Sequence, residues 1–146
     1  MLSLNRKIFF SSAYCLNDSS VSEFENQRIF GADYGKQLAA SFELQAHFVR
    51  EELPPLDPIT GMVVNLPDVD SRCAELVEVL TKQPLHIVVA PNPAYLEVIA
   101  RFASRMLIEK MAMHDPQSVV RLHRLSLEMQ GGPGSVVSKQ SVTLVI

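Results

Sequence analysis

Four histidines, two cysteines and a scatter of carboxylates are the groups with which this sequence could do acid–base, nucleophilic or metal chemistry. An unperturbed imidazole titrates near neutrality, so His47, His86, His114 and His123 are each candidates for moving a proton. None stands in an HxH or HxxxH pair, the spacing that sets two imidazoles on one face of a strand or helix for a metal ion. Cys15 and Cys73 lie far apart and outside any CxxC or Cys/His cluster, which indicates two reduced thiols rather than a disulfide framework or structural zinc site. Glu23, Glu25 and Arg28 form no catalytic pair. No glycine-rich phosphate loop, G-x-S-x-G elbow or Rossmann fingerprint occurs.

The background to these groups is that of a folded chain. Its 146 residues are 47% hydrophobic and 20% charged, enough to bury roughly two-thirds of the unfolded surface in one core. One domain over residues 1–146 is expected. A formal net charge of −3, with Lys and Arg scattered, argues against nucleic acid or anionic lipid and for small-molecule or protein partners. Arg6 and Lys7 precede a short apolar run from Ile8 to Phe10, but Ser11 and Ser12 end it too early for a signal peptide. No apolar stretch reaches the ~20 residues that span a bilayer. No membrane association and a cytoplasmic location are expected.

The elements that must position the chemistry follow from periodicity. Loose alternation from Asn5 to Leu16 predicts a first strand, and Val21 to Phe30 a short helical or irregular excursion. Cleaner alternation puts Leu38, Ala40, Phe42, Leu44, Ala46 and Phe48 on one face of a long second strand, in a hairpin with the first. Asp68, after Pro67, reads as the N-cap of a helix with Val69, Cys73, Leu76, Val77 and Leu80 on its apolar stripe. Asn92-Pro93 reads as the start of a second helix, with Leu96, Ile99, Ala100, Ala103, Met106 and Leu107 on one face as far as about Met113, closed by Asp115-Pro116. Alternation returns from Leu122 to Glu128. The Gly131-Gly132-Pro133-Gly134 turn then leads into a last strand from Ser135 to Ile146. Strand, strand, helix, helix, strand, strand predicts an α+β fold: a four-stranded antiparallel sheet with both helices on one face. Such a sheet has two free edges, a reason to close by oligomerisation.

The most specific stretch runs from Leu56 through Asp57-Pro58-Ile59-Thr60-Gly61-Met62 to Asn65-Leu66-Pro67-Asp68-Val69. It resembles the D-P-x-T-G-M-V-x-N/D segment joining the first hairpin to the first helix in the 6-pyruvoyltetrahydropterin and 6-carboxytetrahydropterin synthase family. Phe10-Ser11-Ser12-Ala13-Tyr14-Cys15-Leu16 is similar to that family's F-S-A-x-H-R-L strand, Gly35-Lys36-Gln37-Leu38 lies where it has G-H-G-H, and Leu127-Glu128-Met129 resembles its E-T.

The resemblance implies the tunnelling fold, in which subunits join their sheets into a barrel with active sites between them, and hence a homo-oligomer, trimeric or hexameric. It also places Tyr14, Lys36 and Leu38 where the family binds its catalytic zinc, so no metal and no other cofactor is expected here. Asp33 or its neighbours align loosely with the catalytic cysteine. His86 stands where an Asp-His pair completes proton transfer, without an adjacent aspartate. The function this implies is a zinc-independent descendant, repurposed as a lyase, isomerase or cyclase for a small cyclic or carbonyl-containing substrate in an inter-subunit pocket. Its expected groups are Tyr14 as acid or donor, Lys36 as electrostatic stabiliser, His86 as base and Glu128 as ring anchor, with Asp33 and Tyr34 as further substrate contacts. A catalytically silent pterin-like binding or scaffold protein is the alternative, and an authentic zinc-dependent synthase a third.

Overall fold

A computed structural model describes residues 2–50, 66–114, 120–130 and 140–146. Strands β1 (Leu2–Cys15) and β2 (Gln37–Arg50) pair antiparallel over their whole length, from Leu2 opposite Arg50 to Cys15 opposite Gln37. Strands β3 (Val120–Gln130) and β4 (Gln140–Val145) complete a sheet in the order β1-β2-β3-β4. The alternation read from the second strand is the burial pattern found: Ala40, Phe42, Leu44, Ala46 and Phe48 are buried, and Ser41 and Gln45 are exposed.

Helices α2 (Leu66–Lys82) and α4 (Leu96–His114) cover the apolar face, with a single turn α3 (Leu85–Val88) between them. Val69, Cys73, Leu76 and Leu80 of α2, and Ile99, Ala100, Ala103 and Leu107 of α4, enter one core with the buried strand residues. Phe10 and Phe42 stack across β1 and β2 with ring centroids 5.0 Å apart. Ser12 also faces inward, and its hydroxyl donates to the Leu80 carbonyl at 3.0 Å, so the polar atom is satisfied where β1 meets α2. Helix α1 (Glu23–Phe30) is capped as its sequence dictates: Ser22 Oγ accepts from the Glu25 N–H at 3.2 Å, and Gly31 ends it at φ 59°.

Both helix starts differ from expectation. Asp68 is the third residue of α2 rather than its cap, because Pro67 is tolerated inside a first turn whose N–H groups have no intrahelical partner. Asn92-Pro93 begins no helix: the Asn92 N–H donates to the Val89 carbonyl at 3.1 Å, and the Pro93 carbonyl accepts from Tyr95 at 2.9 Å. The capping chemistry is used in turns that follow α3, and α4 starts at Leu96, where the Tyr95 carbonyl takes the Ile99 N–H at 3.0 Å. The α3 turn itself is too short to show a period.

Strand β3 carries a bulge. Register slips between His47 and Phe48, which face Arg124 and Leu122, so His123 is an extra residue opposite β2. Leu122, Leu125 and Leu127 therefore all point into the core, while Arg124, Ser126 and Glu128 share the outer face. The Asp57-to-Asn65 segment of the family-like motif, the Asp115-Pro116 stop, the glycine turn and residues 135–139 of the expected last strand lie outside the described residues.

Candidate functional site

Where β1 ends and β2 begins, a cleft of about 440 Å3 is walled by Cys15, Tyr34 and His86, by Asn17 and Ser19, and by the run 90–93. Each wall has a local cause. Gly35, at φ 74°, turns the chain into β2, and its N–H donates to the Leu16 carbonyl at 3.3 Å, holding Tyr34 beside the end of β1. The loop 17–20 is pinned from beneath by Asn26, a buried side chain on α1. Its Oδ1 accepts the Asp18 N–H at 2.8 Å, and its Nδ2 donates to the Asp18 carbonyl at 3.0 Å and the Ser22 carbonyl at 3.2 Å.

His86 is fixed by one bond with a chemical consequence. Its Nδ1 accepts the backbone N–H of Cys15 at 3.2 Å. A backbone amide only donates, so Nδ1 is unprotonated and the neutral ring carries its proton on Nε2. In this tautomer the donor left on the His86 ring is Nε2–H.

The remaining residues singled out in the sequence are spread around this centre. Tyr14 faces inward, half-buried against the core, where burial and then the Asp33 carboxylate raise its phenol above the usual tyrosine range. Asp33 and Lys36 are exposed and form no part of the cleft wall. Glu128 lies on the outer face, opposite Glu43 on β2 and Ser141 on β4. From Leu38, which faces Tyr14, to Glu43 is five residues along β2, or roughly 17 Å of strand. One chain therefore brings Tyr34 and His86 together and Tyr14 near Asp33, but does not bring Glu128 to the cleft. Cys15, Asn17, Ser19 and Asn92 are wall residues that sequence reasoning missed. Cys15 and His86 are 71 residues apart, and no spacing rule links them.

The three positions at which the resemblance places the family's zinc ligands do not fit that ion. Tyr14 and Leu38 are cross-strand partners and Lys36 lies two residues before Leu38, so these positions do share one end of the sheet. A leucine offers no donor atom, a lysine ammonium no lone pair, and the Tyr14 phenol is held in its protonated form. Among the described residues no three His, Cys, Asp or Glu side chains are grouped to hold a metal ion.

An α+β domain with a four-stranded antiparallel sheet and helices on one face is the class that the fold defines. Solved structures of 6-pyruvoyl tetrahydropterin synthases have this fold. The Caenorhabditis elegans protein superposes with a TM-score of 0.68 at 19% identity, over 99% of this chain and 94% of that one. The Plasmodium vivax protein gives 0.58 at 9% identity over 100% of both chains, and the Plasmodium falciparum protein 0.54 at 12% identity over 99% of both. No protein-family profile and no curated protein sequence matches the chain. The chain has the fold of these synthases, as expected from the sequence, and no helix among the described residues is long and apolar enough to cross a membrane.

Two expected results follow from the surroundings of the site. Burial, helped by Asp70, pushes the Cys73 thiol up to about 11, whereas Cys15 is half-buried on the cleft wall. At pH 8, a thiol-alkylating reagent followed by peptide mapping should modify Cys15 first, and Cys73 only as the chain unfolds. The second concerns Asp18, whose carboxylate is held below the usual range by the Ser20 hydroxyl and then the Ser20 N–H. A depressed acid contributes stability above its unfolded pKa of about 3.9 that is lost as pH falls through the folded value. Hydrogen exchange at the Ser20 amide, which donates to Asp18, should therefore stay slow at pH 4 and quicken, relative to an unstructured peptide, only in stronger acid.

Proposed function

We propose that this protein is a metal-independent enzyme on the 6-pyruvoyl tetrahydropterin synthase fold, a lyase, isomerase or cyclase acting on a small cyclic, carbonyl-containing substrate. The observation that carries the reading is the anchored His86 on the wall of the cleft. A carbonyl oxygen placed against its Nε2–H is polarised, and negative charge developing there on loss of an adjacent proton is stabilised by the same bond. Cys15, on the same wall, is the group that can take that proton as a thiolate and return it as a thiol. Tyr14, whose phenol is raised by burial and then by the Asp33 carboxylate, stands outside the wall in its protonated form. Lys36, exposed and outside the wall, has no part in this chemistry.

The subunit is completed by copies of itself, as a trimer or hexamer. Among the described residues both outer strands leave an edge open, and each carries an exposed apolar residue, Phe9 at 69% and Val145 at 74%. Glu128 then reaches a neighbour's cleft, where its carboxylate accepts from ring N–H groups, which accounts for its distance from His86 within one chain. The reading places the protein in the cytoplasm with both thiols reduced. A binding protein without turnover is the second reading, favoured by that separation of Glu128 from His86.

Calorimetric titration with pterins and related lactam heterocycles tests the proposal. Binding should persist in excess chelator, protect Cys15 from alkylation, and fall at least about tenfold in His86→Ala and Glu128→Gln. Binding that disappears with chelator and returns with zinc would overturn metal independence. Failure of every heterocycle to bind or to protect Cys15 would remove the cleft from consideration. Bound ligands recovered unchanged from long incubations would select the second reading.

A further inference from the structure

The side chains around the cleft also set the charge of what it takes. Among the described residues of one chain no Asp, Glu, Lys or Arg lines the cleft, whose polar groups are the Asn17 and Asn92 amides, the Ser19 and Tyr34 hydroxyls, the Cys15 thiol and the His86 imidazole, and Glu128 of a neighbouring copy would add only negative charge. His86 adds no charge in the tautomer that its bond to Cys15 selects, and protonating Nδ1 would set two N–H donors against each other.

Resting on the proposed function, we infer that the cleft binds an uncharged ligand through a carbonyl oxygen accepting from His86 Nε2–H, and discriminates against phosphorylated and carboxylated compounds. Recognition of a phosphate draws on Arg or Lys, or on a helix N-terminus free to face it. The flanking charges do not supply this. Asp18 sits between two wall residues, Asp33 precedes Tyr34 and Lys36 follows Gly35, two negative charges against one positive. The start of α4, close to Pro93, already has Glu97 in its first turn, and burial and then the Asp18 carboxylate raise the Tyr95 phenol just before it. A phosphate dianion entering the cleft would lose hydration without gaining a cation, against a field of its own sign. A neutral lactam or amide carbonyl loses little and gains one directed bond.

The test uses the full chain and matched pairs: uridine and its 5′-monophosphate, guanosine and its 5′-monophosphate, and 6-hydroxymethylpterin and its phosphate ester. Calorimetry should show the neutral member of any binding pair tighter by about tenfold or more. His86→Ala should abolish that binding, and His86→Gln, whose amide restores an N–H donor, should recover part of it. The recovery distinguishes lost hydrogen bonding from a damaged fold. A phosphorylated member binding as well as or better than its parent overturns the inference while leaving the cleft a ligand site. Equal binding by His86→Ala and the unaltered chain overturns the role of the histidine. If no pair binds or protects Cys15 from alkylation, the reading of the cleft as a ligand site fails with it.

Discussion

Phe42→Ala is expected to cost about 3–5 kcal/mol of stability, the largest single effect among the substitutions considered. Phe42 is 2% exposed, stacks on Phe10 and belongs to the continuous core beneath the helices. Removing the ring loses its transfer energy and leaves a hole that β2 cannot close, since Leu44 is fixed by pairing on both sides of the strand and Ala40 by pairing to β1. Against a typical total of about 5–15 kcal/mol, the variant should sit close to its unfolding threshold at 25 °C. Urea denaturation should show the midpoint falling with little change in slope. A loss below about 1 kcal/mol would mean that the sheet and helices do close over the space.

Asn26→Leu should act locally instead. The side chain is 2% exposed and its three hydrogen bonds hold the loop that forms one wall of the cleft. Leucine fills the volume but leaves the Asp18 N–H without its partner, at about 1–3 kcal/mol for a group that stays buried, and leaves the Asp18 carbonyl with the Val21 N–H at 3.3 Å alone. The loop can recover much of that by opening to water, and opening it dismantles the wall at Asn17 and Ser19. Hydrogen exchange should quicken at Asp18 and Ser20 while core amides of β2 stay protected, and heterocycle binding should weaken more than the unfolding midpoint shifts. A uniform rise in exchange over the whole sheet would show that Asn26 supports the core rather than the site.

Much of this architecture is legible in the sequence because its signals are long. Six apolar residues in strict alternation define β2, and stripes of five and six define α2 and α4. The cleft is built from short signals. The single turn α3 carries His86, a pair of turns uses up Asn92-Pro93, and a hydrogen bond spans 71 residues from Cys15. The tautomer of His86 depends on that bond alone, so no reading of residue types could assign it. The bulge was likewise concealed, because one added residue, His123, separates Leu122 from the alternation that holds Arg124, Ser126 and Glu128 on one face.

The bulge has a bearing on how this strand tolerates a change in length. Loss of Ser126 would turn one side of the strand over, putting leucines into water and Arg124 or Glu128 against α4. Loss of His123 alone would leave Leu122, Arg124 and Leu125 in unbroken alternation opposite Phe48, His47 and Ala46, at the cost of the bond its carbonyl accepts from Ile146 at 2.8 Å. In β3 the sheet can absorb a one-residue deletion at this joint and still keep its two faces apart.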